Sequence, residues 1–158
     1  MKILVDADAC PVKEIIVRQA KKRGIPVVML LDTSHILNDG YSKVITVDKG
    51  RDSVDIRLAN LLEAGDIVVT QDFGVAALAL GKRAKAMNQN GMVYDDRNMD
   101  QLLFERHLGQ KIRRAGGRTA GAKKRTRSDD ESFERAFIDI LDSGCRVSAS
   151  WWTPSWPP

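Results

Sequence analysis

The sequence predicts an α/β fold in three layers, in which helices cover both faces of a mainly parallel central sheet. Apolar runs of strand length alternate with segments of helical periodicity, and each run is apolar at nearly every position. Strands that are apolar throughout are typical of parallel sheets buried on both faces. The chain has 158 residues, which is the length of one domain with a substantial core.

Three strands and two helices are expected in the first part of the chain. Pro11 suits the first position of a helix with an apolar stripe, and Gly24 is a natural stop for it. A second helix is expected to begin at Asp52 or Ser53 and to end at Gly65. Short apolar runs indicate the strands, and turn residues before the third one predict a loop. These strands are expected at residues 2–6, 26–31 and 44–48.

The alternation continues through the middle of the chain. Asp72 can cap a helix that ends near Leu80, because its side chain can accept from backbone N–H groups of the first turn. Asn98 can cap a longer helix in the same way, and that helix is expected to end near Arg114. Three further strands are expected at residues 67–70, 84–87 and 92–94.

A last helix is expected near residues 128–143, because Ser128 and Glu131 have the spacing of a capping box. Its apolar face should dock on the domain. Residues 1–144 are therefore predicted to form one domain, with a basic linker near 116–127. Residues 145–158 hold all three tryptophans, and we expect a disordered or non-native tail, with a Trp/Pro-rich docking peptide as the alternative. The apolar face comprises Phe133, Phe137, Ile140 and Leu141.

The composition predicts a reduced, cytoplasmic protein that does not cross a membrane. Cys10 and Cys145 are far apart in sequence, so neither a disulfide framework nor a cysteine-built zinc site is expected. The apolar runs are far shorter than the ~20 residues that span a bilayer. Asp6 also interrupts the first apolar run too early for a signal peptide.

A basic segment stands out against an otherwise acidic chain. The net charge is +4, but residues 106–127 hold nine Lys or Arg and no acid. Such segments attract polyanions, nucleic acid first among them, and a solvated loop is the alternative. The candidate nucleic-acid contacts are Arg106, Lys111, Arg113, Arg114, Arg118, Lys123, Lys124, Arg125 and Arg127.

Acidic residues recur just after the predicted strands. In parallel sheets a site lies beyond the carboxyl ends of the strands, so these acids are expected at one edge. Asp6 and Asp8 have the spacing that points two strand side chains the same way. Two carboxylates about 4 Å apart repel by about 4 kcal/mol at an effective dielectric constant of about 20. The acids that could converge are Asp6, Asp8, Asp52, Asp55 and Asp72.

A hard divalent cation such as Mg²⁺ would offset that repulsion, because it prefers carboxylate oxygens. Each acid also has a structural alternative. Asp52, Asp72 and Asp8 could cap helices, and Asp55 could favour the first turn through the helix dipole. Caps do not require a pair of acids after the first strand, so the set as a whole favours a cation site.

Other kinds of catalytic site have less support in the sequence. Cys10 lacks the arginine that a cysteine phosphatase loop carries six residues on, since Ile16 stands there. His35 and His107 have no metal-ligand spacing between them. No phosphate-binding loop of the G-x-x-x-x-G-K-[ST] type is present.

Two segments, VDADACPV from Val5 and GDIVVTQD from Gly65, resemble the bacterial YaiI/YqxD family of uncharacterised proteins. The resemblance covers nearly all of residues 1–142. That family is similar to PIN-like nucleases, whose T-x-D motif corresponds to Thr70 and Asp72. The resemblance implies a three-layer α/β/α fold with an Mg²⁺ or Mn²⁺ site. Its implied ligands are Asp6, Asp8, Asp55 and Asp72, with Asp52 nearby.

The first functional hypothesis is a metal-dependent nuclease that hydrolyses RNA, or DNA as the second choice. The acids would hold metal and orient water, Thr70 would position an acid or a phosphate oxygen, and the basic segment would bind the backbone. Few aromatic side chains are available for stacking, so little base readout is expected. The oligomeric state is left open.

Two alternatives remain. The pair Asp6 and Asp8 also opens the signature of haloacid-dehalogenase-like phosphatases, with Asp6 as nucleophile, and Asp95-Asp96 imitates the metal pair of that class. The other alternative is a non-catalytic module that binds RNA or phosphate.

Overall fold

The computed structural model describes residues 1–8, 10–32, 37–47, 53–117 and 123–145, with the backbone alone at residues 53, 144 and 145. Within these ranges, six strands form one sheet in the order β3-β2-β1-β4-β5-β6. The first five strands are parallel, and β6 runs antiparallel to β5 at the edge. The strands are β1 (Ile3–Asp6), β2 (Val27–Asp32), β3 (Lys43–Val47), β4 (Ile67–Val69), β5 (Lys85–Met87) and β6 (Val93–Tyr94).

Helices cover both faces of this sheet, so the predicted three-layer α/β fold is confirmed. One apolar cluster lies between one face of the sheet and α1 with α5, and a second lies between the other face and α2, α3 and α4. Strand β1 contributes to both, because alternate side chains point to opposite faces. Ile3 and Val5 join the first cluster, and Leu4 joins the second. The helices are α1 (Lys13–Arg23), α2 (Ser53–Leu61), α3 (Phe73–Gly81), α4 (Asp96–Arg114) and α5 (Arg127–Cys145).

Two predicted helix boundaries are confirmed in detail. Gly24 ends α1 in the left-handed conformation, with φ of 65°, which glycine adopts without steric cost. Asp72 caps α3, because its side chain accepts hydrogen bonds from the backbone N–H groups of Gly74 and Val75.

The predicted cap of the long helix α4 is wrong. Asp95, not Asn98, is its N-cap, and the two residues form a reciprocal capping box. The Asp95 carboxylate accepts from the Asn98 N–H at 2.7 Å, and the Asn98 side-chain oxygen accepts from the Asp95 N–H at 3.0 Å. Asn98 therefore takes part in the cap from the third helical position, a role that the capping-box pattern usually assigns to Glu or Gln.

The predicted start of α5 is also displaced. The helix begins at Arg127 rather than Ser128, and Asp129 accepts from the N–H and the hydroxyl of Thr126. Thr126 and Asp129 have the same three-residue spacing as Ser128 and Glu131, so the neighbouring pair forms the helix start instead. The prediction for the apolar face is confirmed, since Phe133, Phe137, Ile140 and Leu141 are all buried in the first cluster.

No helix within the described ranges combines the length and the apolar character that crossing a bilayer requires. The predicted tail, residues 145–158, lies outside the described residues apart from the backbone of Cys145, and its state stays a prediction.

Docking of α5 should supply a large part of the stability of the fold. Leu141 is fully buried in α5, so Leu141→Ala should lower the free energy of unfolding by about 2–5 kcal/mol. Leu78 lies in α3 and is 51% exposed, so Leu78→Ala should cost less than about 1 kcal/mol. Urea unfolding followed by circular dichroism measures both values, and equal losses would contradict this account of the core.

Candidate active site

The candidate site lies where the strand order of the sheet reverses. Strand β1 pairs with β2 on one side and with β4 on the other, and all three are parallel. The chain leaves β1 toward α1 on one face of the sheet and leaves β4 toward α3 on the other. A crevice opens at such a switch point, beyond the carboxyl ends of the strands. Asp6 ends β1 at this edge, and Thr70 directly follows β4.

Asp6 is the electrostatic centre of the site. The pKa of its carboxyl is raised from 3.8 to about 6, mainly by burial and then by the negative charges of Asp55, Asp8 and Asp72, in that order. A hydrogen bond from the backbone N–H of Asp8 opposes the shift. The structure therefore brings together the acids after β1, at the start of α2 and after β4, closely enough for their charges to act on one another.

Asp8 does not cap α1, which corrects that structural alternative. The residue before α1 is Val12, and no side chain of a described residue caps that helix. The Asp8 carboxylate instead accepts the backbone N–H of Asp32, at 2.9 and 3.1 Å to its two oxygens. This contact ties the segment after β1 to the end of β2, so Asp8 shapes the edge of the site.

Asp72 and Thr70 form a linked turn at the end of β4. Asp72 Oδ1 accepts from the N–H groups of Gly74 at 2.6 Å and of Val75 at 3.0 Å. Thr70 is 3% exposed, and its hydroxyl accepts the Asp72 N–H at 3.0 Å. The T-x-D motif thus positions its acid through the backbone. Both cap contacts use Oδ1, and a carboxylate can bind a cation through its second oxygen while it caps a helix.

Asp55 lies in the first turn of α2 and is half-buried. Asp55 and Asp72 border a groove of about 630 Å³ between α2 and α3. Asp52, the remaining predicted ligand, lies outside the described residues, as does His35.

A cleft of about 360 Å³ adjoins Asp6. Cys10 lines it but is 6% exposed, and burial raises the pKa of its thiol, so it packs as a small apolar side chain rather than acting as a nucleophile. Two glutamines contribute polar side chains. The lining residues are Asp6, Cys10, Val69, Thr70, Gln71 and Gln89.

Arg125, a member of the predicted basic set, is half-buried beside this cleft and is held by side-chain hydrogen bonds. Its Nε donates to Asp130 at 2.6 Å, and its Nη1 donates to the side chain of Asn90 at 3.1 Å. Its charge lowers the pKa of the Cys10 thiol, against the larger effect of burial, which shows that the guanidinium lies near the cleft wall. Its Nη2 is buried and has no hydrogen-bond partner among the described residues.

The other members of the predicted basic set that the structure describes are exposed. Arg106 stacks over the ring of Phe73 at 5.5 Å, and Arg127 pairs with Glu131 on an exposed surface. Arg118 lies outside the described residues. The remaining members are exposed: Lys111, Arg113, Arg114, Lys123 and Lys124.

Residues 4–143 match the family described as "Uncharacterized BCR, YaiI/YqxD family". The chain belongs to the YaiI/YqxD family. A relative from Ruminiclostridium cellulolyticum is 70% identical over 138 residues, which cover 87% of this chain and 90% of the relative. A relative from Alkaliphilus oremlandii is 56% identical over 142 residues, which cover 90% of this chain and 92% of the relative. Both are described as "UPF0178 protein".

The family prediction is therefore confirmed, and the PIN-like placement stays a prediction. The fold is also similar to the crystal structure of Rae1 (YacP) from Bacillus subtilis, with 16% sequence identity and a TM-score of 0.42. That match covers 90% of this chain and 99% of the other. At this level the similarity carries no argument about function.

The donor chemistry of this YaiI/YqxD site fits a hard divalent cation, but the ligands are not preassembled. Among the described residues, no group of three or more His, Cys, Asp or Glu is placed to hold a metal ion. Asp8 and Asp72 are turned toward backbone N–H groups. Carboxylate oxygens remain the ligands that Mg²⁺ and Mn²⁺ prefer, and the repulsion around Asp6 is what a cation would relieve. Binding would require some of these side chains to rotate.

Sequence reasoning missed several residues of the site. Asp32 ends an apolar strand just as Asp6 does, so the same signal was available for it. Lys13 donates from Nζ to the Ala7 carbonyl at 2.9 Å, beside both leading acids. Gln71 and Gln89 carried no sequence signal, because only the packing of β4 beside β5 places both at one cleft.

The raised pKa of Asp6 predicts a specific dependence of stability on pH. Between pH 3.8 and about 6 the folded chain holds a proton on Asp6 that the unfolded chain releases, so stability falls as pH rises through this window. The cost is fully present above pH 6. In EDTA at pH 8, Asp6→Asn should therefore raise the free energy of unfolding by about 1–2 kcal/mol, after discounting for solvent screening.

At pH 4 the same substitution should have little effect, because Asp6 is then protonated in the folded protein. Asp139→Asn, on the exposed side of α5, serves as the matched control and should show no such pH-dependent gain. Urea titrations at the two pH values measure the difference. Equal effects of Asp6→Asn at pH 4 and pH 8 would contradict this assignment.

Proposed function

We propose that this protein is a divalent-metal-dependent nuclease that hydrolyses phosphodiester bonds, with RNA as the first substrate class and DNA as the second. The observation that carries the proposal is the convergence of acids from separate segments on Asp6, beside an open cleft at the carboxyl edge of the sheet. A fold that only needed helix caps would not place Asp6 among three other carboxylates, where its charge is destabilising.

The cation would be Mg²⁺ or Mn²⁺. When bound, it supplies Lewis acidity toward a phosphodiester and positive charge against the surrounding carboxylates. Asp6, Asp8, Asp55 and Asp72 would hold it, with Asp52 as a further candidate outside the described residues.

The chain's own side chains supply positioning. Thr70 holds the backbone of Asp72 in place, and Asp8 fixes the segment after β1 against the end of β2. Asp6 has a raised pKa, so it can accept a proton or a hydrogen bond from water near neutral pH more readily than an ordinary carboxylate. The contacts of Thr70 and Asp8 fix the backbone segments that carry the acids beside Asp6.

Arg125 is the proposed phosphate-binding side chain. Asp130 and Asn90 hold its guanidinium from two sides, which leaves the buried Nη2 as a donor that an anionic oxygen can satisfy. Arginine is suited to this role, since its rigid fork matches phosphate geometry. The exposed bases of the segment 106–127 would then add salt-dependent attraction to the nucleic-acid backbone.

The polar lining of the cleft supports RNA as the first substrate class. Gln71 and Gln89 both offer an amide donor and an amide acceptor beside Asp6, and a ribose 2′-hydroxyl takes both kinds of hydrogen bond. DNA lacks that hydroxyl, so it would leave part of this lining unpaired.

A non-catalytic module that binds RNA or phosphate is the second candidate. The lack of a ready-made group of three metal ligands among the described residues favours it. The phosphatase alternative is disfavoured by topology. Tyr94 pairs with Ala86 in an antiparallel ladder, so β6 leads Asp95 back toward the opposite edge of the sheet, where it caps α4.

The nuclease proposal predicts cleavage that depends on both metal and Asp6. In Mn²⁺, the purified protein should cut single-stranded or structured RNA, and EDTA should abolish the activity. Asp6→Asn should lower the rate by about 100-fold or more and weaken Mn²⁺ binding in calorimetry, because it removes a central ligand. Asp139→Asn should leave both properties unchanged.

Either of two outcomes would contradict the nuclease proposal. If no RNA or DNA is cut in Mn²⁺ and Asp6→Asn binds RNA as the parent does, the non-catalytic candidate is correct. If phosphate is released from small monoesters and an acid-labile adduct forms on Asp6, the phosphatase alternative is correct.

Removal of the Arg125 guanidinium should impair substrate handling without disturbing the acids. Arg125→Met should reduce kcat/KM on RNA by about 10- to 100-fold, the scale expected for loss of a charge-assisted phosphate contact. Asp130→Asn breaks the same ion pair but keeps the guanidinium, and Arg127→Met removes an exposed arginine nearby. Both control variants should stay within about 3-fold of the parent. If Asp130→Asn lowers kcat/KM as much as Arg125→Met does, the ion pair of Arg125 stabilises the fold and its guanidinium does not bind phosphate.

A further inference from the structure

From Phe104 onward, α4 carries an apolar face that the rest of the described chain leaves uncovered. Phe104 is 67% exposed, more than any other large hydrophobic side chain among the described residues. Leu108 and Ile112 are 47% and 41% exposed. These three residues recur every fourth position, so they form one stripe along the helix. Leu103 is 43% exposed but lies about 100° around the helix from Phe104, so it is not part of the stripe.

The attachment of α4 to the domain explains why this stripe faces outward. Met99 is buried, Leu102 packs against the second core cluster, and Arg106 stacks over Phe73. These residues define the inner side of the helix, and the stripe lies opposite to it. From His107 to Arg114 every residue except Gly109 is exposed, so the last two turns project from the body. A projecting helix end gains little from packing and is marginally stable by itself.

Charge is divided along the same helix. The first half carries Asp96, Asp100 and Glu105 with one base, Arg97. The second half has no acid and carries Arg106, Lys111, Arg113 and Arg114. Two such helices laid antiparallel would bring the acidic half of each against the basic half of the other. Their macrodipoles would also oppose, whereas parallel pairing would place like charges together. This complementarity identifies the occupant of the stripe.

We propose that the apolar stripe of α4 binds the same stripe of a second copy of this chain, in an antiparallel, two-fold symmetric dimer. A two-fold axis near residue 108 lies at the centre of the stripe and opposes Phe104 to Ile112, and Leu108 to Leu108, of the second copy. Such an interface is closed, so it gives a dimer rather than a filament. The proposal uses none of the acids of the candidate site and is independent of the nuclease proposal.

The same symmetry predicts one specific ion pair between the two copies. Asp100 and Arg114 lie about 12 Å and about 9 Å on either side of residue 108 along the helix axis. They are two heptads apart, so they lie on nearly the same flank of the helix. In an antiparallel pair, residues on one flank and at similar distances from the axis come close to each other across the interface, and a long arginine side chain can span an offset of about 3 Å. Asp100 of each copy would therefore meet Arg114 of the other, twice per dimer.

Nucleic acid suits the stripe less well than a second copy. Its three members are one phenylalanine and two aliphatic side chains, which offer little stacking surface for bases. In the dimer Arg114 is occupied at the interface, and Arg125 with the other exposed bases described in the segment 106–127 stays available for nucleic-acid contact.

Sedimentation velocity of the full chain across the micromolar range tests the dimer. One helix pair buries less than the ~800 Å² per partner of a standard interface, so a dissociation constant in the micromolar range is expected. Leu108→Lys changes an exposed residue and should keep the fold by circular dichroism while raising the dissociation constant by about 100-fold. A chain that stays monomeric throughout, or a dimer that Leu108→Lys does not weaken, would overturn the proposal.

A charge swap distinguishes this geometry from any other use of α4. Asp100→Arg alone and Arg114→Asp alone should each raise the dissociation constant by about 10-fold, because each creates two like-charge contacts per dimer. The double variant should return to within about 3-fold of the parent, because the pair is restored with reversed sign. Losses that simply add in the double variant would exclude the antiparallel pairing.

The alternative occupant within the chain is the Trp-rich segment 146–158, which lies outside the described residues. Replacing Trp151, Trp152 and Trp156 by Ser in the full chain should leave the dimer unchanged. If the parent is monomeric and only this variant dimerises, the tail covers the stripe and the proposal fails.

Discussion

The parallel pairing of β1 with β4 is the constraint on which the candidate site depends. Val5 lies beside Val69 in the register, so Asp6 and Thr70 reach the same level at one edge of the sheet. The two strands continue into helices on opposite faces, and the crevice between them exposes the backbone turns that carry the acids. A strand order in which β1 and β4 were not neighbours would separate Asp6 from the T-x-D turn.

That arrangement concentrates negative charge at an edge of the sheet that is partly shielded from solvent. The N-terminus of α3 offsets some of it, because Asp72 receives two backbone N–H groups. Asp8 receives another from the end of β2. Asp6 receives one such contact among the described residues, from Asp8, and its raised pKa reflects first its burial and then the charges of the surrounding acids. A cation at the acids and an anionic oxygen at Arg125 would complement the two halves of this charge distribution, and a metal-bound phosphodiester supplies both.

Helices α4 and α5 have similar sequence patterns, but the apolar stripe is buried in α5 and exposed in α4. Both have 19 residues and an apolar stripe. The stripe of α5 is buried against the sheet, with Phe133 stacked on Phe137 at 5.4 Å. In α4 the packing uses Met99, Leu102 and Arg106, and the stripe of Phe104, Leu108 and Ile112 faces outward. The periodicity of a helix identifies its apolar face but does not say what that face meets.

The sequence by itself determined the strand and helix order, the left-handed stop at Gly24, the cap at Asp72 and the gathering of acids at one sheet edge. Those features follow from residues that are close in sequence, and from the rule that parallel strands share a carboxyl edge. The starts of α4 and α5 were missed by one to three residues, because neighbouring polar residues offered two cap pairs with the same spacing.

Only the tertiary structure decided which partners the site residues have. Asp8 meets the backbone of Asp32 rather than that of α1, and Arg125 meets Asn90, 35 residues away in sequence. The rise in the pKa of Asp6 likewise requires burial and charges from three segments at once. Hydrogen bonds, desolvation and Coulomb interactions depend on distance in space, and the fold alone sets that distance for residues that are remote in the chain.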